Sequence, residues 1–358
     1  MISKCENGSN VDQNSFFTRP IFKPIGSKES DQNDDSSTFT QVQASYKTSY
    51  ALTSGGLVYS WVMEKEDLPR QSDSNNISAD LTVPVPRPII GKMKGHRIAL
   101  ISAGHQHCLA LSSGGRVFAW GRNNHGQLGI GQTSCASEYV KEPSLVQFPK
   151  ITVVTKVSAG HFHSVALINM ARSNSKTETI VFGWGNSQYL GEVKSIKRCK
   201  IEPQEILSIT KKIKMMEEPD GPQRDKKKCI QLTALSAGGF HNLVLTKCGL
   251  VLAWGSGTYG QLGNGHVWDL SKRPMIVAQL KNVVHISAGL RHSFAIVQKP
   301  GDKERKVFGW GYNCNGELGL KAGDCDVRLQ PYEITTMDGY CMLISAGYRH
   351  SICVSSGE

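Results

Sequence analysis

The chain has 358 residues, a formal net charge of +11 and 39% apolar residues, enough to bury a sizeable core. Residues 1–14 are polar and do not read as a signal peptide, and no apolar run approaches the ~20 residues that a membrane helix needs. The ten cysteines include no C-x-x-C pair, so they read as reduced thiols of an intracellular protein, cytosolic or nuclear, rather than a disulfide framework.

Residues 1–43 read as the outer part of a structural unit and a polar loop, acidic and serine-rich at 27–37. A worn hairpin follows: Tyr50-Ala51-Leu52, a Ser54-Gly55-Gly56 turn, then Val58 to Trp61. Beyond it come a loose stretch at 71–76 and an extended proline-rich run at 83–88. Residues 101–131 hold the cleanest unit. Ser102-Ala103-Gly104 and His107 open it, and an alternating apolar run covers 108–111. A Ser-Gly turn at 112–115 leads to a second run ending in Trp120-Gly121, and a loop carrying Asn123, Gly126, Gln127, Leu128 and Gly129 closes the unit. Two period-two runs about a tight glycine turn predict a β-hairpin.

The unit then recurs. Ser-Ala-Gly returns at 158–160, 236–238, 287–289 and 345–347, each followed at the same offset by a histidine: His163, His241, His292 and His350. The strand-ending Trp-Gly returns at Trp184, Trp254 and Trp310. In the worn first copy, Ala44, Ser45 and Thr48 take the Ala, Gly and His places. With Ala as the phase marker the units start at 44, 103, 159, 237, 288 and 346, and only the 78-residue interval from 159 to 237 is out of line. The 13 residues from Ala346 onward and the 43 before Ala44 together make one period, which puts Ile2 and Cys5 where Val117 and Trp120 stand in the clean copy. A hairpin cannot bury its apolar face alone, so such units stack, and a ring removes the unprotected ends.

The run S-A-G-x-x-H-S-x-A-L, then G-x-V-x-x-W-G-x-N-x-x-G-Q-L-G, resembles the regulator of chromosome condensation repeat. The resemblance implies an all-β fold, a closed β-propeller of four-stranded blades. Seven blades are usual in that family. Six are read here, in a single domain over 1–358, with the last blade split between the N- and C-termini. The resemblance also implies a monomer acting on a protein partner, as a guanine nucleotide exchange factor for a Ras-like small GTPase that it binds best in the nucleotide-free state. The broken repeat loop at 186–191 is where a wedge would be sought. A reading of another class is a scaffold, or an adaptor to chromatin or an acidic partner, without exchange activity.

No catalytic constellation, cofactor site or metal site emerges. The histidines at 107, 163, 241, 292 and 350 come one per unit, which spreads them round a ring instead of converging them on a zinc ion. They are expected to hydrogen-bond backbone groups between blades as neutral imidazoles. The tryptophans at 120, 184, 254 and 310 read as packing aromatics. In light-sensing relatives Trp follows the Gly of the opening; here His161, Leu290 and Tyr348 stand there, which argues against photoreception. Gly255 to Gly260 matches G-x-G-x-x-G, yet no helix pattern follows, so a dinucleotide site is not expected. Gly257 replaces the usual Asn, at a place expected to need a positive φ. The Ser-x-x-x-x-His spacing repeats in every unit and no G-x-S-x-G elbow exists, which argues for architecture over hydrolysis.

The charge is concentrated. Residues 194–228 hold eleven Lys or Arg against six Asp or Glu. The excess length between 186 and 232 is expected to be a basic, flexible inter-blade insertion. Lys211, Lys212, Lys214, Arg224, Lys226, Lys227 and Lys228 are its candidate partner-binding residues. They read as a solvated loop, as a nuclear-import signal around 224–228, or as a contact for nucleic acid, chromatin or an acidic protein.

Overall fold

The computed structural model describes residues 38–62, 85–133, 139–149, 152–171, 177–191, 198–217, 231–320, 326–335 and 340–356, and every structural statement below concerns these. They form five four-stranded antiparallel sheets and one two-stranded sheet, each a meander of sequence neighbours. Unit 1 holds β1 (Phe39–Ala44), β2 (Thr48–Thr53), β3 (Val58–Val62) and β4 (Arg87–Ile89). Unit 2 holds β5 (Ile98–Ala103), β6 (His107–Ser112), β7 (Val117–Arg122) and β8 (Tyr139–Leu145). Unit 3 holds β9 (Thr152–Ala159), β10 (His163–Ala171), β11 (Thr177–Asn186) and β12 (Cys199–Glu205). Unit 4 holds β13 (Leu232–Ala237), β14 (His241–Thr246), β15 (Val251–Gly257) and β16 (Trp268–Ile276). Unit 5 holds β17 (Val283–Ala288), β18 (His292–Val297), β19 (Lys306–Gly311) and β20 (Arg328–Glu333). Unit 6 holds β21 (Tyr340–Ala346) and β22 (Ser351–Ser356).

Each sheet is apolar on both faces of its inner strands, so it must be covered on both sides, and the neighbouring units do the covering. Five hydrophobic clusters fill the five junctions from unit 1 to unit 6. Leu109 and Val117 of unit 2 meet Ile168 and Phe182 of unit 3, and Val165 and Leu167 of unit 3 meet Val244 and Leu252 of unit 4. The first and last junctions are built around Tyr50 with Phe118 and around Phe294 with Ile344. The inner strands β1, β5, β9, β13, β17 and β21 all border one central funnel. This is the expected propeller. The N-terminal segment expected to complete the sixth blade, Ile2 and Cys5 included, lies outside the described residues.

Two expectations change with the fold in view. The span 186–232, read as a flexible insertion, supplies the fourth strand of unit 3, β12, and the helix α1 (Leu207–Glu217). Ile206 and Ile209 are buried in the junction with unit 4, which ties the segment to the core. Residues 192–197 and 218–230 of that span lie outside the described residues. The second change concerns the repeat loop. Neither Asn123 nor Gly257 is left-handed; the positive φ angles fall on Gly121, Gly126 and Gly129 and on their counterparts Gly255, Gly260 and Gly263. Asn is used for its side chain: Oδ1 of Asn123 accepts from the Leu128 amide at 3.0 Å, and Oδ1 of Asn313 accepts from the Leu318 amide at 2.9 Å. At Gly121 the backbone carbonyl of Gln106 stands where a Cβ would project, so glycine is required twice over. The loop after Gly255 leads to strand β16 and not to a helix.

Candidate functional site

The Ser-Ala-Gly-x-x-His turn joins each inner strand to the next strand, and all six turns meet at one mouth of the funnel. Its residues divide the work. The Ser hydroxyl accepts the amide of the following unit's Ala: Ser102 from Ala159, Ser158 from Ala237, Ser236 from Ala288 and Ser287 from Ala346, at 2.9–3.0 Å. The Ala lines the funnel wall. The Gly lets neighbouring turns touch: a Cβ on Gly104 would strike the Gly160 carbonyl and the His107 ring.

The His reaches across the junction, but to side chains rather than to the backbone groups expected. Nε2 of His107 lies 2.9 Å from Ser164 Oγ, that of His241 2.7 Å from Ser293 Oγ, and that of His292 2.9 Å from Ser351 Oγ. His163 meets Asn242 Oδ1 at 2.9 Å. The Ser164 and Ser293 hydroxyls donate to the carbonyls of Gln127 and Gln261, so each imidazole must be the donor, with its proton on Nε2. The same carbonyls accept Nε1 of Trp184 and Trp310, which makes these tryptophans hydrogen-bonding members of the junction and more than packing aromatics. Burial drives His107 and His241 down to about 3, and His163 and His292 to about 4, so all four are neutral at physiological pH. Each is engaged in its own junction, and among the described residues no group of His, Cys, Asp or Glu could hold a metal ion.

At the junction of units 3 and 4 the broken loop 186–191 replaces the Gln carbonyl with that of Tyr189, which accepts from Asn242 Nδ2 at 2.7 Å. Trp254 Nε1 then finds no hydrogen-bond partner among the described residues. Leu190 is fully buried and anchors the loop in the junction, while Gln188 is exposed and Asn186, Ser187 and Tyr189 are half-buried. His350, the last of the series, is exposed.

The mouth itself carries the side chains of the two variable positions, and they are unevenly distributed. Across units 1 to 4 aromatic rings stack edge along edge round the rim. Tyr46 lies 4.8 Å from His105, His105 3.8 Å from His161 with planes 21° apart, and His161 5.2 Å from Phe240 with planes 15° apart. Phe162 packs behind His161 at 4.2 Å and His125 behind Phe162 at 4.7 Å. Burial first, then the neighbouring imidazole of His105, pushes His161 to about 3. Burial, then the Arg122 guanidinium, lowers His105 as well, so the imidazoles of this arc are neutral, with Arg122 the cation beside them. Across units 5, 6 and 1 the rim is basic. Arg291 stacks over Tyr259 at 4.3 Å, Arg349 lies over Tyr348 at 5.7 Å and Lys47 over Tyr46 at 5.9 Å. None of these three cations forms an ion pair among the described residues. A funnel of about 420 Å³ opens here, lined by the repeat alanines and glycines with Leu290 and by Tyr46, His105, His161 and Tyr348.

Of the basic residues singled out from sequence, Lys211 and Lys212 lie on α1, Lys211 exposed, and they are not part of this mouth. Lys214 is in the same helix, its side chain outside the description, and Arg224, Lys226, Lys227 and Lys228 lie outside the described residues. The rim was missed because its positions are the variable ones of the repeat. The signal available was that in units 1, 5 and 6 the second of those two positions is Lys or Arg, and in units 3 and 4 it is Phe.

The model of the RCC1-like domain family matches residues 7–353. The human probable E3 ubiquitin-protein ligase HERC6 is 32% identical over 261 residues, covering 71% of this chain and 22% of that protein. The ultraviolet-B receptor UVR8 of Arabidopsis thaliana is 28% identical over 84% of this chain and 59% of its own length. The chain therefore spans between about a fifth and three fifths of these relatives. Among solved structures, Prp20p of Saccharomyces cerevisiae superposes with a TM-score of 0.65 at 19% identity, over 90% of this chain and 70% of that one. Human WBSCR16 superposes at 0.63 and 21% identity, over 89% and 72%. At these identities the two structures establish the fold alone.

Proposed function

Since the chain belongs to the RCC1-like domain family, we propose that it works as a regulatory protein-interaction propeller that takes its partner at the funnel mouth. One observation carries this reading: six rigid turns bring aromatic and cationic side chains, the residues that dominate protein interfaces, to a single concave rim. The ring of inter-unit hydrogen bonds holds those side chains in place before a partner arrives, which lowers the ordering cost of binding. A photo-crosslinking residue placed at Tyr348 tests it against one at Lys247, which lies at the far end of β14 from the mouth. Adducts specific to position 348 are the expected result. Equal adducts at both positions would refute the assignment of this face.

Nucleotide exchange on a Ras-like GTPase is the finer form of this function. Its support is the family and the fold shared with Prp20p, a protein described by its binding properties to Gsp1p and histones. The chain's own loop 186–191 remains the place to seek a wedge: Leu190 anchors it in the junction of units 3 and 4 and Gln188 is exposed. Release of fluorescent GDP from a panel of small GTPases decides the matter. Acceleration by sub-stoichiometric protein establishes exchange, and no effect across the panel leaves the interaction module. Residues 224–228 keep their reading as a nuclear-import signal in a protein of cytoplasm and nucleus, tested by deleting 218–230 and following localisation.

A further inference from the structure

The uneven rim specifies the chemistry of the occupant. We infer that the funnel mouth binds an acidic polypeptide segment that inserts one large apolar or aromatic side chain between its carboxylates. This rests on the interaction reading above and adds to it the class of partner.

The argument has three parts. The first is charge. Arg291, Arg349 and Lys47 hold the same position on the turns of units 5, 6 and 1, each beside a Tyr ring and none neutralised by an ion pair among the described residues. Stacking on a ring holds a guanidinium in place without using its N–H donors. Carboxylates complement such cations. The second is shape. The funnel is lined by the six repeat alanines with the adjoining glycines and Leu290, and by the rings of Tyr46, His105, His161 and Tyr348. At about 420 Å³ it has room for a single large side chain with its flanking backbone.

The third part separates a polypeptide from single-stranded nucleic acid, which also seeks cations beside aromatic rings. Nucleobases need free ring faces to stack on. Here the faces of His105, His161 and Phe240 are spent on one another, with interplanar angles of 21° and 15°. With these faces occupied, what the mouth offers an anionic partner is its cations, and carboxylates on those cations describe an acidic peptide.

The test uses the full chain and a fluorescein-labelled twelve-residue peptide of Asp and Glu with one central Trp, followed by anisotropy. Companion probes are the same peptide with Ala for Trp, and a dT twelve-mer. Arg349 and Lys47 are exposed, so the double reversal Arg349→Glu with Lys47→Glu is compatible with folding, checked by an unchanged melting temperature. The acidic peptide is expected to bind, to weaken at least ten-fold on the double reversal, and to weaken at least five-fold when its Trp is lost. Peptide binding that survives the reversal would place the site elsewhere and overturn the inference, as would tighter binding of the dT twelve-mer that is lost in the same variant. Absence of peptide binding also overturns it. Because adducts at position 348 are scored separately, that outcome leaves the interaction face standing while removing the acidic partner.

Discussion

Among the described residues, the junctions from unit 1 to unit 6 and the outer faces of units 1 and 6 are built from the same sequence and differ in exposure. Leu109 and Leu111 of unit 2 are 0% and 4% exposed, whereas Ile352 and Val354, at the same places in unit 6, are 60% and 50% exposed. On the first unit, Val42 is 62% exposed where Ile101 of the second is 1% exposed. His107, His163, His241 and His292 are sealed and hydrogen-bonded, and His350 stands in the open. A repeat motif therefore carries no burial of its own. It becomes core when the next unit supplies a serine or asparagine for its imidazole and an apolar wall for its strand.

Acid should strike the sealed junctions hardest. Four imidazoles held near 3 to 4 in the fold return to about 6.5 on unfolding, so the unfolded chain takes up more protons as pH falls. Their stabilising contribution is complete above pH 6.5 and is lost as pH drops toward 4. Between pH 7 and 5 each imidazole forfeits on the order of 1–2 kcal/mol. Urea unfolding at the two pH values checks this, and equal midpoints would contradict it. Next in size is Gly238→Ala, whose Cβ would meet the Gly289 carbonyl and the His241 ring. It is expected to cost roughly 3 kcal/mol or more, the range of overpacked sites. Gly347→Ala, whose Cβ would press on the ring of the exposed His350, should cost less, since an exposed ring can shift where a neighbouring backbone carbonyl cannot, and similar losses in the two would erase the distinction.

Replacing the imidazoles sharpens the contrast further. His241→Ala leaves a cavity and removes the donor to Ser293, at a cost of roughly 2–3 kcal/mol, and His350→Ala should fall within about 0.5 kcal/mol of the parent. Thermal or denaturant melts of the pair measure the gap. The smallest effect concerns the tryptophans. Trp310→Phe loses a hydrogen bond to Gln261 worth about 1 kcal/mol, and Trp254→Phe loses none, so the first should destabilise more. The reverse order would mean that ring packing and not the Nε1 donor governs these sites.

Much of this architecture was legible in the chain. Alternating apolar runs, Ser-Gly turns and the recurring Ser-Ala-Gly-x-x-His placed the hairpins and their number, because strand periodicity and turn chemistry are local. The outer strands were harder. β12 and α1 hide in a basic span of low hydrophobicity, since a strand at the sheet edge needs only one apolar face and one ladder of hydrogen bonds. The rim was invisible for a different reason: its residues occupy the positions the motif leaves blank.

What the sequence determined alone is the unit, its period and the need for neighbours, since each hairpin carries more apolar surface than it can cover. Only the tertiary structure decided which imidazole meets which hydroxyl, that Asn123 serves through its side chain and not its backbone, and that Tyr348 of unit 6 comes within 6.5 Å of His105 of unit 2 at the funnel. Those facts depend on angles between units more than fifty residues apart in the chain, a quantity that no local preference encodes and that packing of one unit on the next sets.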